Sequence, residues 1–88
     1  MKSFKAIITD PVGLHARPAA IIVKTASAFK SDIFIKTGVK EGNLKSIMNI
    51  MALGIKTGTE VLIEANGSDA EAAIKAIKKS MQESKLIS

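Results

Sequence analysis

The chain contains no cysteine, no tryptophan and no tyrosine, and it has only one histidine, two prolines and three phenylalanines. Without cysteine there are no disulfide staples, zinc ribbons, CxxC redox motifs or thiol nucleophiles. A lone histidine with no clustered Asp or Glu around it cannot fill a metal's coordination shell, so neither a metal nor a cofactor is expected. Long apolar runs are missing too. The longest, Ala19 to Val23, is far short of the ~20 residues that a spanning helix needs. The start, Met1-Lys2-Ser3-Phe4-Lys5, is not followed by a continuous apolar stretch or a small-residue cleavage site. No membrane association is expected, and the expected location is cytoplasmic. RNA-binding sheets and single-strand grooves stack bases on aromatic side chains. Here Phe4, Phe29 and Phe34 fall in apolar patterns that place them in the core, and no GxxG loop occurs. The basic balance alone does not make this a nucleic-acid-binding chain.

What remains is an ordinary composition for a globule: 47% apolar and 24% charged residues over 88 positions, with a formal net charge of +5. That length suits one small domain, residues 1–88, of marginal stability, since such a chain buries only about 60–65% of the surface its unfolded form exposes. The excess of positive charge makes anionic ligands or acidic partners worth weighing.

Lys2 to Thr9 alternates Phe4, Ala6 and Ile8 with Ser3, Lys5 and Thr9, a strand with one buried face. Ile7 interrupts the alternation and is expected under a loop. Asp10-Pro11-Val12-Gly13 reads as a turn. From Pro18 to Phe29 the residues Ala19, Ile22, Val23, Ala26 and Phe29 recur at helical spacing, while Arg17, Lys24 and Ser27 fall toward the other side. Pro18 suits a first helical turn. Ser31 to Lys36 is a β-branched strand, and Thr37-Gly38 turns it into a shorter one at Val39 to Gly42. Ser46 caps a short helix from Ile47 to Leu53, which Gly54 can stop in a left-handed conformation. Glu60 to Ala65 alternates again. Ser68-Asp69-Ala70-Glu71 has the form of a capping box, and Ala70, Ala73, Ile74, Ile77 and Met81 continue a helix. Lys75, Lys78, Lys79 and Lys85 gather toward its C-terminal end, where they complement the dipole. The order β-α-β-β-α-β-α predicts an α+β domain with an antiparallel or mixed sheet and helices on one face.

The segment Gly13-Leu14-His15-Ala16-Arg17-Pro18-Ala19-Ala20 sets the only histidine just ahead of a helix. The first N–H groups of a helix lack internal partners and carry partial positive charge, so they favour anions. Arg17 adds a fork-shaped cation suited to phosphate oxygens. Pro18 biases Arg17 toward extended backbone, which leaves the N–H groups of Ala16 and Arg17 free to face a ligand. Gly13 provides a position able to take positive φ. An imidazole beside that positive end is expected to stay neutral, and a neutral imidazole is a nucleophile. Two readings follow: a phosphohistidine site, or an exposed residue that merely caps the helix. In the second helix, Ile47, Met48, Ile50, Met51 and Leu53 are too many apolar residues for one face of two turns. Met48 and Met51 are either core filler or part of an exposed patch suited to several partners.

At this point the chain resembles the histidine-containing phosphocarrier family, HPr, of the bacterial sugar phosphotransferase system. The resemblance runs over essentially the whole chain. It is carried by GLHARPAA, Gly13 to Ala20, and NLKSIMNIMALGI, Asn43 to Ile55. It implies an open-faced β-sandwich of four antiparallel strands and three helices. It also implies that His15 accepts a phosphoryl group on Nδ1 from enzyme I, charged by phosphoenolpyruvate, and passes it to a histidine of an enzyme IIA domain. Arg17 would steady the phosphoryl oxygens. The domain would thus be a substrate of other phosphotransferases and not an enzyme, and a monomer is expected. Val12 departs from relatives that carry a polar residue beside the site, which puts that contact in doubt. Ala20, Lys24, Ile47, Met48, Met51 and Gly54 match the family's partner-binding face, with Lys24 and Lys45 at its margin. Asn43-Leu44-Lys45-Ser46-Ile47-Met48 is similar to the Gram-positive-type branch. There the serine matching Ser46 is phosphorylated by HPr kinase/phosphorylase, and the modified form can bind a catabolite-control transcription factor. Without the resemblance Ser46 is simply an N-cap. A small-ligand domain of ferredoxin-like topology accounts for the order of elements but not for GLHARPAA.

Overall fold

A computed structural model describes all residues, Met1 to Ser88. The strands are β1 (Lys2–Ile7), β2 (Asp32–Thr37), β3 (Lys40–Asn43) and β4 (Glu60–Asn66), and the helices are α1 (Ala16–Ser27), α2 (Ile47–Ala52) and α3 (Ala70–Glu83). Every strand pairing is antiparallel, in the order β1-β4-β2-β3. The expected α+β open-faced sheet with the order β-α-β-β-α-β-α is therefore present. No helix is long and apolar enough to cross a membrane.

Side-chain alternation explains why the sheet has one covered face. The register aligns Phe4 with Ile63, Ala6 with Val61, and Ile35 with both Ile63 and Gly42. This row meets Ile22 and Ala26 of α1, Ile50 of α2, and Ala73, Ile77 and Met81 of α3 in one core cluster. The opposite parity carries Ser3, Lys5, Phe34, Lys36, Leu62 and Glu64, so that face stays open. On it, Lys36 Nζ lies 2.6 Å from Glu64 Oε1 and 3.4 Å from Glu41 Oε1. The Glu64 carboxylate raises the Lys36 ammonium above its ordinary pKa, against the opposing effect of desolvation.

Several expectations change in the structure. Ile7 lies under no loop: it pairs with Glu60 on the open face and is 45% exposed, because strand parity continues through Ala6 to the buried Ile8. Phe34 shares that open face and stands outside the core cluster, whereas Phe4 and Phe29 pack against the cluster from its margin. Helix α1 begins two residues before Pro18 and ends at Ser27. The C-terminal lysines do not complement the α3 dipole, since its last turn has no basic residue and Lys85 lies beyond the helix with φ 60°. Gly54 takes φ 60°, as its place after α2 predicts.

The capping box does not form either, and its replacement ties the fold together. The residue that caps α3 is Asp69, and its side chain makes no capping bond. Its carboxylate instead accepts from the N–H groups of Lys30 and Ser31 and from the Ser31 hydroxyl, across the α1–β2 turn. Three tertiary donors outcompete one local N–H. Gly67 permits the approach, because a Cβ there would stand 2.6 Å from Ser31 Oγ. The Ser31 hydroxyl, followed by the Lys30 N–H, depresses the Asp69 carboxyl below the ordinary carboxylate range. A depressed folded-state pKa adds stability that is present above the unfolded value and vanishes as pH falls through the folded one. Asp69→Ala is therefore expected to lower the urea midpoint near neutral pH. Its deficit should shrink steadily in titrations carried below the ordinary carboxylate range. A pH-independent deficit would assign the loss to packing instead.

Candidate functional site

The loop between β1 and α1 is held on three sides by backbone bonds. The N–H groups of Thr9 and Asp10 both reach Leu86 O, at 2.9 and 3.3 Å, so the C-terminal segment fixes the start of the loop. Within it, Gly13 N–H donates to Asp10 O at 2.9 Å, and Val12 N–H donates to Asp10 Oδ1 at 2.9 Å. Beyond the turn, Leu14 N–H donates to Ile55 O at 3.0 Å while the Leu14 side chain is buried. Gly13 has φ 81°, and a Cβ there would lie 2.7 Å from Ile55 O. A side chain at this position would meet both a backbone clash and left-handed strain.

His15 is the N-cap of α1, with extended backbone at φ −101° and ψ −179°. Its carbonyl accepts from Ala19 N–H at 3.1 Å, but its side chain makes no capping hydrogen bond. His15 is thus the capping residue by position, but its imidazole makes no hydrogen bond to the helix end. It is 37% exposed, and Nε2 stands 3.4 Å from Asp10 Oδ2, a long contact. Asp10 is the residue that sequence reasoning missed. Asp-Pro-Val-Gly signals a turn, and an Asp opening a turn characteristically accepts from the N–H two residues on. That signal was available, but it does not reveal where the second oxygen points.

Arg17 does not have the extended backbone expected from the following proline; it occupies the second position of α1. Pro18 is the third, still inside the first turn where its missing N–H breaks no bond, and closure of that turn by Ala19 N–H overrides the local bias. The N–H groups of Ala16 and Arg17 nonetheless have no acceptor within the chain, as first-turn donors do not. Arg17 is exposed, in no ion pair, and lines a cleft of about 220 Å³ with Asp10, His15, Pro18, Ile21 and Ser84. A larger concavity of about 360 Å³, between the β2–β3 turn and residues 53–59, offers lysines and threonines but no imidazole or carboxylate. Chemistry, not size, selects the smaller one. Val12 is exposed beside it, with only its backbone engaged.

The other residues singled out in the sequence are distributed over α1 and α2, which pack against each other. Ala20 and Lys24 are exposed on α1. On α2, Ile50 is buried while Ile47, Met48 and Met51 face outward, Met48 at 83% exposure, so neither methionine is core filler. Gly54 is exposed at the end of α2. Lys45 is less free than expected, because its Nζ donates to Phe29 O at 2.7 Å just past the end of α1. Ser46 is the N-cap of α2, and its Oγ accepts from Asn49 N–H at 3.2 Å. It is half-buried and does not line the His15 cleft.

The family described as the PTS HPr component phosphorylation site matches residues 2–83. The chain is 60% identical over 87 residues to the phosphocarrier protein HPr of Mycoplasma capricolum, an alignment covering 99% of this chain and 98% of that protein. A solved structure of a Mycoplasma histidine-containing phosphocarrier protein superposes with a TM-score of 0.97 at 59% identity, covering 98% of each chain. The HPr structure from Thermoanaerobacter tengcongensis gives a TM-score of 0.89 at 48% identity, covering 98% of this chain and 96% of that one. The family match, the relatives and the fold agree, and the chain belongs to the HPr family, the phosphocarrier proteins of the phosphotransferase system.

Proposed function

We propose that His15 is the phosphoryl acceptor, taking the group on Nδ1 from phospho-enzyme I and giving it to a histidine of a sugar-specific enzyme IIA domain. The observation that carries this reading is the free imidazole on an unsatisfied helix end, with Arg17 in the same cleft. Two open N–H groups and a guanidinium can meet the phosphoryl oxygens at the start of α1, where the helix dipole favours negative charge. Transfer of this kind depends on positioning and charge stabilisation, with little further machinery needed. The chain acts as a carrier between enzymes, in the cytoplasm and as a monomer. Ala20, Lys24, Ile47, Met48, Met51 and Gly54 form its docking face. Methionine there suits a surface that meets enzyme I and enzyme IIA in turn.

Ser46 is a regulatory site for HPr kinase/phosphorylase under the same reading, and a catabolite-control transcription factor is the candidate partner of the modified form. A phosphate at the start of α2 would be favoured by the helix dipole, so the fold is retained. It would also add about −1.5 to −2 charges beside Met48 and Met51, opposing acidic partners.

Incubation with enzyme I and phosphoenolpyruvate is expected to give an acid-labile, alkali-stable phosphate on the wild-type chain and none on His15→Ala. Label on the His15→Ala chain would overturn the assignment. Ser46→Asp keeps an N-cap acceptor, so its melting temperature is expected to stay within a few degrees of wild type. Its charging by enzyme I is expected to fall on the order of tenfold, the effect of about 1.4 kcal/mol of like-charge opposition in the encounter. Stopped-flow transfer at equal concentrations tests this, and equal rates would overturn the regulatory mechanism assigned to Ser46.

A further inference from the structure

Asp10 and Arg17 are the only charged side chains that share the cleft with His15. The two oxygens of Asp10 have separate tasks. Oδ1 accepts from Val12 N–H at 2.9 Å, and Oδ2 faces His15 Nε2 at 3.4 Å. The backbone around the carboxylate is fixed as well, by the Asp10 N–H on Leu86 O and by Gly13 N–H on Asp10 O. Its side chain is only 16% exposed. An ionised carboxylate accepts hydrogen bonds and donates none. A hydrogen on the ring nitrogen turned toward it, Nε2, would therefore meet an acceptor, whereas a lone pair there would face another lone pair. A neutral imidazole has one N–H, and placing it on Nε2 leaves the lone pair on Nδ1.

We infer that Asp10 is a positioning residue for His15: it selects the Nε2–H tautomer and faces the positive charge that the ring acquires on phosphorylation. The inference rests on the reading of His15 as the acceptor and adds a residue that the family motif around His15 does not contain. In the transfer step the Nδ1 lone pair forms the new N–P bond while the donor's bond to phosphorus breaks, its electron pair returning to the donor nitrogen. No proton leaves Nδ1, because none is there. The product ring keeps its hydrogen on Nε2 and is positive at that moment. Arg17, from α1, acts on the phosphoryl oxygens and opposes a charged ring. Asp10, from the preceding loop, is the counter-charge. Ser84 completes the cleft from the C-terminal segment and carries no charge.

A purely structural role gives a different pattern of variants. Asp10→Asn keeps an oxygen for Val12 N–H but turns the group facing Nε2 into an amide donor, which moves the ring hydrogen to Nδ1 and occupies the attacking position. Asp10→Ala removes the turn acceptor and the ring partner together but imposes no wrong tautomer. The expected order of charging by phospho-enzyme I is wild type, then Ala, then Asn, with Asn slower than wild type by roughly three- to tenfold, the range set by the net worth of one such hydrogen bond. If Asp10 serves only the turn, Asn equals wild type and Ala is slowest, and that order overturns the inference.

The second measurement needs no enzyme I. Imidazole 15N chemical shifts of the unphosphorylated, full-length protein, taken above the histidine titration, are expected to report Nε2–H in wild type and a shift toward Nδ1–H in Asp10→Asn. Unchanged shifts in the Asn variant would also overturn it. Should the wild type fail to accept phosphate at all, the phosphocarrier reading falls, while the tautomer result stands separately on the 15N data.

Discussion

The site depends on two backbones coming closer than any side chain would allow. Gly13 lies against the carbonyl of Ile55 and the Cα of Lys56, and the Leu14 N–H bonds that same carbonyl. This contact sets where the chain enters α1, and so where the first turn of the helix opens. Leu14 is buried beneath it while His15, next in line, turns outward. At the other end of the loop, Leu86 O receives two N–H groups, so a surface loop of few residues is clamped by segments from the middle and the end of the chain. An imidazole on such a loop can be both free of the helix and fixed in place, which is what pre-organisation requires.

Much of this was legible in the sequence because the relevant constraints are local. The alternation in Glu60 to Ala65, the apolar stripe of α1 and the serine ahead of Ile47 each report a period or a cap, and each element formed within one or two residues of its expected bounds. The readings that failed are those in which a distant group decides. Ser68 and Glu71 match a capping box, yet Asp69 is drawn away by donors from Lys30 and Ser31, nearly forty positions earlier. Phe34 is apolar in composition but lies at open-face parity, which only the register with Glu64 and Asn43 determines. Proline at 18 biases Arg17 away from helix, and closure of the first turn overrides it. At the site, His15 and Arg17 follow from the motif, while Asp10 shows only as a turn former. Its second oxygen is a tertiary fact.

The net charge of +5 also divides once the fold is known. Lys36 is occupied by Glu64 and Glu41 on the open face, and Lys75 faces Glu71 along α3. Lys45 is bound to a carbonyl, and Lys78 sits 6.0 Å over the Phe4 ring. Arg17 and Lys24 on α1 enter no ion pair, and both are exposed. On the proposed docking face, free cations would speed the encounter with acidic partners and the exposed methionines of α2 would adapt to each shape.

A carrier works under a constraint that an enzyme does not share, since whatever stabilises the phosphorylated state also slows its departure. Each 1.4 kcal/mol gained by the carrier beyond its partners costs about a tenfold shift in the transfer equilibrium. A deep, water-excluded cradle would hold the group too well. The observed site is shallow: a cleft of about 220 Å³, a third-exposed imidazole, one arginine on an exposed stem, and a 3.4 Å contact to Asp10 that solvent can weaken. These contacts can orient a nucleophile without binding its product tightly. Under the proposed function, the remaining stabilisation would come from the partner, supplied only while the two proteins are docked. That division would put the energetics of transfer on the α1–α2 surface and leave the histidine loop to set geometry, so that a small chain with a single histidine would suffice for the proposed carrier role.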